Sequence, residues 1–162
     1  MTGSREPART PSPGLEYEMT FAERIEGPLG PTTGSPSRLC WQIAEATLAG
    51  PRISATLAMP GTDWIRVEAS GIRRQDQRTQ FRTDDGTTIL MRYDAAVIRG
   101  DETFARALER GLPTAFADQY MFMTPQFDVG SDRYAWLTAS LFVARGRLAG
   151  PKRIEYQVYR LV

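Results

Sequence analysis

The chain has 162 residues, of which 41% are hydrophobic and 10% aromatic, and this length and composition predict one folded domain rather than a disordered protein. Its 20 Lys and Arg residues nearly balance its 19 Asp and Glu residues, so we expect no binding of nucleic acid or anionic membrane through bulk charge. The absence of histidine excludes Ser-His and Cys-His nucleophile pairs and His-ligated metal sites, and the single cysteine, Cys40, excludes an internal disulfide.

The first residues differ in composition from the rest of the chain. Residues 1–13 contain three prolines together with small and charged residues and lack any apolar period, so we expect a disordered tail followed by one domain over 14–162. No stretch approaches the ~20 apolar residues of a membrane helix, and no apolar segment typical of a secretory signal is visible. We therefore expect a cytoplasmic protein that does not bind membranes.

From Leu15 onward, alternating apolar and polar residues predict about nine strands. The predicted strands start near residues 15, 39, 53, 65, 74, 87, 119, 134 and 153. The Pro-Gly pair at 60–61 predicts a chain reversal, and the Asp-Asp-Gly sequence at 84–86 predicts a tight hairpin. Residues 27–36, with three prolines and three glycines, predict a long loop that can lie across the mouth of a barrel.

Two segments depart from the pattern of half-buried strands. The predicted strand over 74–82 is polar on both faces except at Phe81, so we expect it to face solvent or to lie near a sheet edge. Residues 101–111 instead place their apolar residues on one face of a helix. Asp101 can cap the start of this helix and Gly111 its end, which predicts one helix of about ten residues.

Many short strands with close turns, and no alternation of strands with helices, predict an all-β fold that is a barrel or a sandwich. Several motifs that occur in one order are at residues 50–51 (GP), 59–64 (MPGTDW), 82–90 (RTDDGTTIL), 124–146 (TPQFDVGSDRYAWLTASLFVARG) and 156–162 (YQVYRLV). Together they resemble the family known as domain of unknown function 3237. The resemblance implies a small β-barrel and no established reaction. The expected fold is therefore a single antiparallel β-barrel of about nine strands with one short helix.

A polar set at the predicted fourth strand is the first candidate site. Asp63 opens this strand, and Trp64, Arg66 and Glu68 follow in steps of two residues, which places an indole, a guanidinium and a carboxylate on one face. If this face lines the barrel interior, it forms a polar binding wall. In the alternative, the apolar residues between them point inward and the charged set faces solvent.

The pair Arg92-Tyr93 is the second candidate, because one of two consecutive strand residues must point inward. An inward Arg92 would need a carboxylate or a ligand anion, and an inward Tyr93 would need a partner for its hydroxyl. The alternative is a core tyrosine with a surface arginine.

Aromatic residues form the third candidate: Tyr120, Phe127, Tyr134 and Trp136. They either pack in the core or line an apolar cavity that offers phenol and indole groups to a flat organic ligand.

These features predict a barrel that binds a small apolar or aromatic organic molecule. As an enzyme it would catalyse isomerisation, cyclisation or hydration without a cofactor, with Asp63 or Glu68 as the base. Arg92 would stabilise an enolate-like oxygen, and Tyr93 or Tyr134 would donate a proton.

Two alternatives to an enzyme remain. One is a non-catalytic ligand carrier, and the other is a filled barrel that acts as a homodimer or complex subunit. No glycine loop typical of phosphate binding is visible, and we expect neither a nucleotide cofactor nor a metal. A cavity above roughly 300 Å³ that contains a carboxylate would favour the enzyme.

Overall fold

The computed structural model describes residues 12–29 and 38–162, and most of this chain forms antiparallel strands. The strands in the described part are β1 (Leu15–Leu29), β2 (Arg38–Gly50), β3 (Ile53–Val67), β4 (Arg73–Thr83), β5 (Thr88–Arg99), β6 (Tyr120–Met123), β7 (Gln126–Val129), β8 (Phe142–Gly150) and β9 (Arg153–Leu161). The helices are α1 (Glu102–Arg110) and α2 (Ala135–Thr138), the second preceded by a 3₁₀ turn at Asp132–Tyr134. None of the helices in these ranges is long and apolar enough to cross a membrane.

Eight of the strands close into a barrel. The strand order is β1-β2-β3-β4-β5-β6-β8-β9, and the pairing of β9 with β1 closes the barrel. The first half of β5 pairs with β7 and its second half pairs with β6, so β7 is an extra strand on the barrel wall. The predicted antiparallel barrel with about nine strands is confirmed.

The predicted helix is confirmed as α1, with the predicted caps. The Asp101 carboxylate accepts hydrogen bonds from the backbone N–H groups of Thr103 and Phe104, at 2.9 and 3.0 Å. Gly111 ends the helix at φ 65°, a left-handed conformation that glycine adopts without strain. Phe104 is buried, which fixes α1 against one end of the barrel.

Two of the predicted strand boundaries are wrong. The 60–61 pair does not reverse the chain, because β3 continues through it with shifts in register, and an exposed proline is tolerated at such an irregularity. The predicted strand over 119–127 is instead the two strands β6 and β7. The two errors compensate in the strand count.

The strand predicted to begin at residue 134 is also wrong in its first part. Residues 132–138 are helical, and β8 begins only at Phe142. Tyr134 and Leu137 are buried there, a spacing of three residues that places both on one face of a helix. A two-residue period cannot account for that burial.

Two predicted segments fall largely outside the described residues. Of the predicted tail 1–13, residues 1–11 lie outside them. Of the predicted loop 27–36, residues 27–29 form the end of β1, and 30–36 lie outside the described part.

The barrel interior has an apolar end and a polar end. At the apolar end the core includes Phe21 and Phe81, whose ring centroids lie 6.1 Å apart. Leu48, the register partner of Phe21, is also buried there. Two residues further along β1, the inner face changes from Phe21 to Glu23, which is 3% exposed. This change marks the beginning of the polar end.

Candidate functional site

Neighbouring strands β3 and β4 carry three of the polar side chains of the barrel interior. Asp63 on β3 is the register partner of Gln77 on β4, and Gln75 lies one inward-facing position away from Gln77. All three side chains are at most 2% exposed. Glu23 from β1, which is also buried, adds a second carboxyl group to this cluster.

Asp63 is held by a chain of hydrogen bonds. Gln75 Nε2 donates to Asp63 Oδ2 at 2.6 Å, and the Tyr156 hydroxyl donates to Gln75 Oε1 at 3.2 Å. The amide therefore has both its donor and its acceptor side engaged, which fixes the orientation of the carboxyl group.

Glu23 is held in the same way by a second chain. Gln77 Nε2 donates to Glu23 Oε2 at 2.9 Å, and the Tyr93 hydroxyl donates to Gln77 Oε1. Burial raises the pKa of both Tyr93 and Tyr156 well above the ordinary value, so both hydroxyls keep their protons. Two parallel carboxyl-amide-phenol chains thus cross the interior.

Each carboxyl group keeps one oxygen free. Asp63 Oδ1 and Glu23 Oε1 are shielded from solvent and have no hydrogen-bond partner among the residues that the structure describes. The same holds for Trp41 Nε1, and Trp41 is the register partner of Asp63 on β2. Because buried polar atoms are normally paired, the unpartnered atoms of Asp63 and Trp41, two residues that line one cavity, are suited to bind polar atoms of a ligand.

The two carboxyl groups have raised pKa values. Burial raises the pKa of Asp63 to about 7, opposed by the Gln75 hydrogen bond and assisted by the charge of Asp76. Burial and the charge of Asp63 raise the pKa of Glu23 to about 8, opposed by the Gln77 hydrogen bond. Near neutral pH Asp63 can therefore ionise while Glu23 keeps its proton.

A cavity of about 510 Å³ opens at the polar end of the barrel, beside α1, and reaches Asp63 and Gln75. Its apolar walls include Ile25, Trp41, Ile65, Ile98, Phe104 and Met121. This volume and this mixture of apolar walls with a few polar groups are typical of small-molecule sites. A larger cleft of about 780 Å³ lies on the outside of the barrel, and its charged residues Arg92 and Asp128 are exposed.

Of the three predicted catalytic residues, Asp63 lies in this cavity, and Glu68 and Arg92 do not. Glu68 follows β3 on the outer surface, where Arg74 Nε donates to its Oε1 at 2.9 Å and lowers its pKa. Arg92 is exposed on the outer face of β5. The structure does not bring either residue to Asp63.

The outer face of β3 also carries two of the predicted ligand-binding residues. Trp64, which is 55% exposed, and Arg66 point away from the cavity, whereas Ile65 lines it. Of the two arrangements considered for this strand, the structure therefore has the one in which apolar residues point inward and Trp64 and Arg66 face solvent. Tyr93, by contrast, points inward and belongs to the chain that holds Glu23.

The predicted aromatic group does not gather around the cavity. Tyr120 is 45% exposed, and Phe127 and Tyr134 are buried in the core near α2. Trp136 is half-buried with the Arg52 guanidinium 3.8 Å from its ring centroid. None of the four is among the residues that line the cavity.

Sequence reasoning missed Glu23, Gln75, Gln77, Tyr156 and Trp41. Two signals were present. The strand over 74–82 is polar on both faces, and a closed barrel has no edge, so one of its polar faces had to point inward. An acidic residue at 23 also interrupts the apolar face of β1.

The described residues contain no group of three His, Cys, Asp or Glu side chains placed to hold a metal ion. Residues 13–161 match the model of the family described as a protein of unknown function, DUF3237. The chain belongs to this family. No curated protein sequence matches it.

Solved structures with the same fold come from bacteria and a fungus. A conserved protein of unknown function from Rhodopseudomonas palustris is 23% identical with a TM-score of 0.83, over 94% of this chain and 100% of that chain. A β-barrel-like protein from Acinetobacter baumannii is 26% identical with a TM-score of 0.73, over 95% and 99% of the two chains. An enzyme from Penicillium herquei is 19% identical with a TM-score of 0.67, over 97% and 100%.

Proposed function

We propose that this DUF3237 protein is a cofactor-independent enzyme that transfers a proton on a small, mainly apolar organic molecule, in an isomerisation, cyclisation or hydration. One observation carries the proposal. Asp63 lines a largely apolar cavity of about 510 Å³ and keeps one carboxyl oxygen without a hydrogen-bond partner among the described residues. A carboxylate that is poorly solvated and titrates near neutral pH is a suitable general base.

In the isomerisation, Asp63 Oδ1 takes a proton from a carbon next to a carbonyl group of the substrate. The electrons of the broken C–H bond form a C=C bond, and negative charge develops on the carbonyl oxygen. Trp41 Nε1, which is buried and unpartnered, donates a hydrogen bond to this oxygen. In a substrate with a second C=C bond beside the first, protonated Asp63 returns the proton to the far carbon of that second bond. The remaining C=C bond is then conjugated with the carbonyl group, which re-forms.

Two further observations support catalysis rather than simple storage of a ligand. The Gln75 amide fixes the Asp63 carboxyl group, and a fixed orientation lowers the cost of reaching the reactive geometry. One structure with the same fold is described as an enzyme, although its 19% identity relates the two proteins only in fold.

The test uses 2-tetralone, a flat apolar ketone with acidic C–H bonds next to its carbonyl group. Proton NMR in D₂O measures how fast these hydrogens exchange for deuterium in the presence of the protein. We expect the parent protein to accelerate the exchange and Asp63→Asn to lose roughly 100-fold or more of that rate, the range of a general base. Asp94→Asn, an exposed carboxylate on β5, should keep the parent rate.

An unchanged exchange rate in Asp63→Asn would contradict the proposal. So would a loss of rate in Glu68→Gln instead, because Glu68 is the rival base suggested by the sequence. Binding of 2-tetralone by the parent protein without any exchange would favour the ligand carrier.

A further inference from the structure

The mouth of the cavity carries positive charge that its apolar walls do not explain. The cavity is lined by exposed Arg110 and Lys152 and half-buried Arg73, together with one exposed acidic residue, Glu109. Arg110 and Glu109 lie at the end of α1, where a cation is favourable beside the helix C-terminus. A helix terminus cannot explain the position of Arg73, because this residue lies on strand β4.

Arg73 lies on the inner face of the barrel. Its register partners are Val67 on β3 and Ile98 on β5, and Ile98 lines the cavity. Along β4, Arg73 alternates with Gln75 and therefore shares its face. Its side chain is half-buried.

Arg73 has no ion pair within the described residues. Its neighbour Arg74, on the outer face of the same strand, binds Glu68 at 2.9 Å. Arg147 binds Glu155 at 3.1 Å in the same manner. A guanidinium that is partly removed from water without a countercharge is unfavourable, and a ligand anion would supply that countercharge in a charge-assisted hydrogen bond.

Arg73 and Asp63 lie at different depths. Val67, the register partner of Arg73, is two inward-facing positions beyond Asp63 along β3, which corresponds to about 13 Å of strand rise. A ligand with an anionic group at Arg73 can therefore extend an apolar body inward to Asp63. At this separation the ligand anion does not prevent Asp63 from ionising.

We propose that the substrate carries an anionic group, such as a carboxylate, which Arg73 binds at the mouth of the cavity while the apolar body of the substrate extends to Asp63. This inference rests on the proposed function, because it concerns the substrate of the same cavity. It adds a substrate class, an apolar molecule with one anionic end.

The test compares two probes that differ only in charge: 6-oxo-5,6,7,8-tetrahydronaphthalene-2-carboxylate and its neutral carboxamide. Isothermal titration calorimetry measures the affinity of each. We expect the parent protein to bind the carboxylate about tenfold more tightly at low salt, as one charge-assisted hydrogen bond implies. The preference should shrink at high salt, a measurement that needs no variant.

Arg73→Gln should abolish this preference and leave the affinity for the carboxamide unchanged. Arg78→Gln is the matched control, since Arg78 is exposed on the outer face of the same strand, and it should keep the preference. Equal affinities in the parent protein, no binding of either probe, or a preference that survives Arg73→Gln would overturn the inference.

The failure of this inference is distinguishable from failure of the proposed function. If the parent protein exchanges the hydrogens of the carboxamide and Asp63→Asn does not, Asp63 remains the base even where the charge preference is absent. If the protein exchanges the hydrogens of neither probe, the proposed function fails, whatever the two binding affinities are.

Discussion

At the scale of single residues, two amides set the chemistry of two carboxyl groups. Gln75 and Gln77 each donate one N–H group to a carboxyl oxygen and accept one phenol O–H group. Asp63 lines the cavity, whereas Glu23 is not among the residues that line it. Of the two carboxyl groups, Asp63 is therefore the one that belongs to the cavity wall.

Replacing Gln75 should change the pH dependence of proton transfer. The Gln75 hydrogen bond stabilises the ionised form of Asp63, so Gln75→Leu should raise the pKa of Asp63 further above its ordinary range. The midpoint of the pH profile for 2-tetralone exchange should move upward from about 7 by roughly one unit. Gln80→Leu, on the outer face of β4, is the control. An unmoved midpoint in Gln75→Leu would show that Gln75 does not tune Asp63.

At the scale of elements, β8 makes room for the hydrogen-bond chain of Asp63. Gly146 on β8 is the register partner of Tyr156 on β9. A Cβ atom at Gly146 would lie 2.5 Å from the Tyr156 ring and 2.9 Å from Met121 Cγ. A glycine at this position lets the Tyr156 ring pack against the backbone of β8 while its hydroxyl reaches Gln75.

Gly146→Ala should therefore destabilise the barrel, because the Tyr156 ring must move. We expect the free energy of unfolding in urea to fall by about 1–3 kcal/mol, the usual cost of overpacking a core. The rate of 2-tetralone exchange should fall as well. Gly130→Ala is the matched control, since a Cβ at Gly130 meets no atom within 4 Å. Equal unfolding midpoints for the two variants would contradict this account of β8.

The elements also differ in how far sequence could predict them. Helix α1 was predictable because its caps, Asp101 and Gly111, act within a few residues of each other. The inner face of β4 was not predictable by alternation, because both of its faces are polar and its orientation depends on the strands beside it. The turn between β4 and β5 was predictable from Gly86, which adopts φ 82°.

At the scale of the whole molecule, strand patterns predicted an all-β barrel or sandwich, and the family resemblance favoured the barrel. Asp63 was identified as a candidate base. Its surroundings could not be predicted, because they depend on contacts between distant residues. Glu23 binds Gln77, 54 positions away, and Tyr156 binds Gln75, 81 positions away. Such pairings are fixed by the register of the whole barrel rather than by any local pattern.

Asp63 and Glu23 are buried in the barrel, and neither carboxyl group forms an ion pair with a described Arg or Lys residue. The pKa values of Asp63 and Glu23 rise from ordinary values of 3.8 and 4.5 to about 7 and 8 in the folded state. Between about pH 4 and pH 8, the folded protein therefore binds more protons than the unfolded chain. The stability that this contributes is fully present below about pH 4 and is lost as the pH rises through 7 and 8.

The most direct test is the free energy of unfolding in urea, measured from pH 5 to 8.5. We expect a decrease on the order of a few kcal/mol over this range for the parent protein, and a much flatter profile for the double variant Asp63→Asn with Glu23→Gln. Carboxylates with lowered pKa values, such as Glu18, titrate below this range and leave the slope unaffected. A parent stability that stays constant or increases with pH, or an equal slope in the double variant, would contradict it.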